Sequence, residues 1–74
     1  MNWTVYLEDS VKALIAFDPE GTMVLMEIGA LAETGPVGAV DPVNPNLVLE
    51  PIMGRTATLD VDWDAKMILV TAIS

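Results

Sequence analysis

DPEGTMVLMEIGALAETG, residues 18–35, admits two readings, and the choice between them sets the fold class. In the first, DPEG (18–21) is a β-turn, with Pro19 at the second turn position and Gly21 at the fourth. Thr22–Ile28 then returns as a strand and closes a hairpin. In the second, Asp18 is an N-cap, Pro19 opens a helix and Gly35 lies just past its end, so that residues 19–34 are helical. Gly21, Thr22, Val24 and Gly29 are poor helix formers and weigh for the strand.

Working outward towards the N-terminus, Trp3–Leu7 (WTVYL) is β-branched and aromatic with alternation, and reads as a strand. Glu8-Asp9-Ser10 interrupts it. Val11–Phe17 (VKALIAF) reads as the hairpin's first strand. The alternative is a short helix capped by Ser10, with Val11, Leu14 and Ile15 on one face.

On the other side lies PVGAVDPVNPNL, residues 36–47. Read in threes, as on a polyproline II helix, it places Val37, Val40 and Val43 on one apolar ridge. Pro36, Ala39, Pro42 and Pro45 form a second. The residue before each proline is pushed to extended conformations, so residues 34–46 read as a stiff arm. Fully extended, it would span about 40 Å at polyproline spacing, more than the roughly 30 Å width of a domain this size. It must fold back through turns at Asp41-Pro42 and Asn44-Pro45, or cross to another molecule.

Leu47–Ile52 reads as a short edge-type strand, because Pro51 cannot donate to a ladder. RTATLDVDW (55–63) alternates cleanly, with Ala57, Leu59, Val61 and Trp63 on one side and Thr56, Thr58, Asp60 and Asp62 on the other. A turn near Asp64-Ala65 leads to KMILVTAI (66–73). Met67–Val70 is apolar on both faces, as in a central or covered strand. The fold expectation is therefore one small, mostly β domain spanning residues 1–74. It would be an antiparallel sheet or sandwich of two hairpins plus an N-terminal strand, with the Pro-rich arm at 34–46. The alternative is α+β with a helix around 19–34.

Composition sets the functional expectation. Of 74 residues, 53% are hydrophobic, and mean hydropathy is +0.50. A chain this short buries only about 60% of its unfolded surface, so it owns more apolar surface than it can hide. Met23–Ala32, the most apolar run, is too short to span a membrane and carries Glu27. MNWTVYLEDS lacks the basic and apolar regions of a signal peptide. There is no cysteine to staple exposed surface. A protein partner remains, most economically another copy of the chain.

Eleven acidic against three basic residues give a net charge of −8. That disfavours phosphate backbones and keeps an apolar chain soluble. Asp60, Asp62 and Asp64 have the alternate spacing of a calcium loop, but Ala65 stands where such a loop needs glycine and Thr71 where it needs glutamate. Without His or Cys, and with only Ser10 and Ser74 as serines, no nucleophile–base pair is available. Arg55, the lone arginine, is set to pair with a carboxylate, either across a subunit boundary or in a surface salt bridge.

The expectation is a non-enzymatic structural protein with no cofactor or metal, self-associating or coating a larger assembly, such as a protein decorating a viral capsid and carried in the virion. The interface residues would be Pro36, Val37, Val40, Val43, Pro45, Leu47, Trp63, Met67 and Leu69. The competing reading is a small, acidic, soluble binding module or inhibitor.

Overall fold

The structure, a computed structural model, describes residues 2–74. Within residues 18–35 the helix of the second reading forms, from Gly21 to Thr34 with Glu20 rather than Asp18 at its N-cap, and the mostly β expectation is corrected to the α+β alternative. In chain order the elements are β1 (Thr4–Leu7), α1 (Asp9–Phe17), α2 (Gly21–Thr34), β2 (Ala39–Val40), β3 (Leu47–Ile52), β4 (Arg55–Asp62) and β5 (Met67–Ile73). The strands form one mixed sheet in the order β1-β5-β4-β3-β2, not a sandwich. β1 runs parallel to β5, and the other neighbours are antiparallel.

Both segments read as the first hairpin are helices. In α2 the buried residues Gly21, Val24, Ile28 and Leu31 recur at helical spacing. That stripe docks on the sheet, and its burial outweighs the weak propensities of Thr22, Val24 and Gly29. Gly21 closes the DPEG turn as its fourth residue and is also a point of close contact: a Cβ there would collide with the Ile15 carbonyl of α1. The Asp18 carboxylate accepts the Glu20 N–H at 2.8 Å, and the Gly21 N–H bonds the Asp18 carbonyl. DPEG is thus a tight link between helices. In α1, Ser10 lies inside the helix and does not cap it; the Glu8 carbonyl accepts the first amides, from Val11 and Lys12.

The C-terminal strands follow their alternation. Ala57, Leu59 and Val61 of β4, and Ile68 and Val70 of β5, are fully buried beneath the helices. β5 lies between β1 and β4, as its two apolar faces require. Thr71 is an extra residue in the β4–β5 ladder: Leu59 pairs with Val70 and Thr58 with Ala72. This bulge keeps Ile73, opposite Ala57, on the core side. Met53 and Gly54, both at positive φ, form the two-residue turn that joins β3 to β4. The alternation in β4 stops at Asp62. Trp63 sits in the following turn, 40% exposed.

Residues 34–46 fold back on their own sheet. Ala39 and Val40 pair with Leu49 and Val48. The return loop is closed by Asp41, whose carboxylate accepts the Val43 and Asn44 amides. Asn44 then accepts the Asn46 amide through its side chain. β3 is therefore one strand in from the edge. Asp41 donates to the Leu47 carbonyl, so the backbone groups of odd-numbered β3 residues face β2. By the period of two, Pro51 presents its missing donor on that side, past the last β2 partner, where no ladder bond is lost.

Candidate interaction surfaces

Among the described residues, helices cover one face of the sheet and leave the other open. Its other face is lined across the strands by rows fixed by register. Tyr6, Leu69, Asp60 and Leu47 form one row, Thr4, Met67 and Asp62 the next, and Ala39, Leu49 and Thr58 another. Of the residues expected at an interface, Leu47, Met67 and Leu69 meet here. Val37, Val40 and Val43 are all exposed, Val43 at 91%, but they are strung along the strap and its loop. Pro36 is half-buried at the strap's start. Pro45 is exposed, and its carbonyl accepts the Trp63 indole N–H at 2.9 Å. Trp63 also packs edge-on against Trp3, with ring centroids 5.8 Å apart. Trp63 therefore ties the loop after β2 to the N-terminal segment at one end of the molecule.

Five large apolar side chains are also exposed on the helices, where the strand reading concealed them. Phe17 is 89% exposed and Met26 71%, and Leu14, Met23 and Leu25 are also exposed. Leu14 and Phe17 stand three apart on α1, as Met23 and Met26 do on α2. A helical reading of Val11–Phe17 and residues 19–34 would have shown these pairs from spacing alone. Phe17 and Leu14, with Ser10, Ala13, Asp18 and Pro19, line a shallow groove of about 510 Å³.

Two polar arrangements hold these surfaces in place. Glu50 projects into the core side of β3 and is only 2% exposed. Its Oε1 accepts the backbone amides of Val37 (3.0 Å) and Gly38 (2.9 Å). A buried carboxylate needs such donors, and here they come from the strap. Gly38 allows the approach, because a Cβ there would collide with the Leu49 carbonyl and stand 2.9 Å from the Glu50 Cα.

Arg55 spans the chain internally. Nη1 meets Asp18 Oδ2 at 2.8 Å, and Nη2 meets Asp18 Oδ1 and Glu20 Oε1, each at 3.1 Å. It joins the start of β4 to the link between the helices. Of the two pairings expected for Arg55, the salt bridge forms within the chain, with both carboxylates flanking a half-buried guanidinium. The Glu20 amide and then the Arg55 guanidinium hold the Asp18 carboxyl below the usual carboxylate range. The folded-state pKa is depressed, so this contribution is fully present above the unfolded value of about 3.9. It is lost as pH falls through the folded value. Asp18→Asn is expected to lower the urea midpoint at pH 7 and to leave it unchanged once Asp18 is protonated in both states. The two midpoint-against-pH curves then converge at acid pH; a constant offset would show that ionisation of Asp18 does not matter.

Asp60 and Asp62 lie on the open sheet face, while the Asp62 side chain accepts the Ala65 amide and closes the β4–β5 turn. Among the described residues, no group of three acidic side chains is placed to hold a metal ion. Among the same residues, no helix is long and apolar enough to cross a membrane. No known protein family matches the chain, and no curated protein matches its sequence.

Proposed function

We propose that this chain is a non-enzymatic structural protein that self-associates or coats a larger assembly, in the manner of a protein decorating a viral shell. One observation carries the reading. α2 is apolar nearly all round, with Glu27 and Glu33 its only charged residues, yet the chain buries a single stripe of it. A helix apolar on every side is normally covered on every side. Here Met23, Leu25 and Met26 lie in the open, and α1 adds Leu14 and Phe17. Exposed apolar surface on this scale marks a protein interface. The acidic surface elsewhere, at net charge −8, keeps the chain dispersed until that face is met.

Light scattering on the purified chain tests the reading. The expected mass at micromolar concentration is a multiple of the 7.9 kDa chain. Phe17→Ser combined with Met26→Ser is expected to lower that mass without loss of helix signal. A folded monomer that binds no apolar dye would overturn the proposal. A folded monomer that does bind dye would reassign the face to a different protein, as in the binding-module reading.

A further inference from the structure

The sheet's two edges are finished differently. At one edge β2 is two residues long, flanked by Pro36 and Pro42, and its approach is fixed by Glu50. Short strands and prolines are the usual ways of blocking further pairing. At the other edge β1 (TVYL) has no proline, lysine or bulge. The amides of Thr4 and Glu8 donate inward, to the carbonyls of Lys66 (3.0 Å) and Val70 (3.1 Å) of the β5 segment. Even-numbered positions therefore face β5, and by the strand's period of two, Val5 and Leu7 direct their N–H and C=O groups outwards. Among the described residues no strand lies on that side.

We infer that the β1 edge pairs with β1 of a second copy, antiparallel, about a two-fold axis at Tyr6. This deepens the self-association reading and rests on it. The edge is self-complementary: Val5 and Leu7 are two apart, so the axis at Tyr6 sets each Val5 opposite Leu7 of the other copy. Each such pair exchanges two N–H···O=C bonds, four in all. Tyr6, half-exposed on the open face, meets its own counterpart as the non-hydrogen-bonded pair between them. Glu8 falls opposite Thr4, so no like charges face one another.

The side chains of Val5 and Leu7 lie on the helix side, half-buried against the core, and the added strand completes their cover. Room for it exists. A cavity of about 400 Å³ runs beside Val5, lined by Asn2, Trp3, Thr4, Gly29 and Ala32. At Gly29 nothing stands within 4 Å of where a Cβ would be, so α2 leaves space where the second copy's strand and helix approach. The result is one ten-stranded sheet running through both copies, since each contributes five strands.

The chain has no cysteine, which makes crosslinking a clean test. In a non-hydrogen-bonded antiparallel pair the Cα atoms are about 4.5 Å apart, within disulfide reach. Tyr6→Cys is expected to form a covalent dimer under mild oxidation, seen on a non-reducing gel. Met67→Cys, on the same face but one strand in, should not. Val5→Pro removes an outward amide without touching the β5 ladder and is expected to weaken association at least tenfold. If that variant fails to fold, the crosslink decides. An assembled wild-type chain whose Tyr6→Cys variant crosslinks no better than Met67→Cys would overturn the edge pairing and leave self-association standing. A wild-type monomer would overturn both.

Discussion

Glu50→Ala is expected to destabilise the folded chain by about 3 kcal/mol, through loss of the acceptor shared by two strap amides. The substitution removes a buried charge, which alone would help. It also leaves the part-buried Val37 and Gly38 N–H groups without their acceptor, and it empties the volume of a fully buried side chain. An orphaned buried donor costs roughly 1–3 kcal/mol, so two of them outweigh the relief. Glu50→Gln keeps an oxygen in place and loses only the charge assistance, about 1 kcal/mol. The whole chain is worth about 4–11 kcal/mol at typical per-residue stabilities, so the alanine variant sits near the edge of folding. Urea denaturation gives the ranking. An alanine variant within 0.5 kcal/mol of wild type, about the scatter of ordinary surface changes, would show that the strap is held by something else.

Gly35→Ala is expected to cost a similar amount or more, about 3 kcal/mol, by a different route. Gly35 ends α2 at φ 72° and ψ −176°, a region essentially reserved for glycine. A Cβ there would also collide with the Trp3 indole nitrogen and lie 2.6 Å from its Cε2. Trp3 would have to leave its edge-on contact with Trp63. The chain has only two tryptophans, so the displacement is directly readable in near-ultraviolet circular dichroism and fluorescence. A variant with an unchanged tryptophan spectrum and unchanged urea midpoint would refute the account of this helix end.

The C-terminal half was legible because its signals are local and agree. RTATLDVDW alternates, and Ala57, Leu59 and Val61 are buried as alternation assigns, while Trp63, assigned with them, lies in the turn beyond the strand. Pro51 marked a strand whose outer side lacks a full partner. The N-terminal half was obscured by residues whose meaning depends on a neighbour. Gly21 carries a helix penalty in isolation, but in the fold it is the only residue that fits beneath the Ile15 carbonyl. Gly29 also weighs against a helix, and here it stands in open space. Val24 is poor in a helix until the sheet covers it completely. Propensity sees the cost at each position and not the contact that offsets it. The exposed apolar side chains of the helices were hidden in the same way: with α1 and α2 read as strands, Phe17, Met23 and Met26 could not be sorted into faces. Glu50 gave no sequence signal, because a glutamate in an alternating strand looks like a solvent-facing residue until its acceptor role for the strap is seen.

The parallel contact of β1 with β5 has a kinetic consequence. Thr4 pairs with Met67, a separation of 67 − 4 = 63 residues. β3, β4 and β5 can zip together through short turns, whereas β1 must wait for a loop nearly as long as the chain to close. That entropic toll precedes any reward from the contact. Until it is met, α2 lacks one of the two strands it packs against. The docking of the first strand is therefore expected late in folding, so the edge of the sheet without prolines is also the one expected to be laid down last.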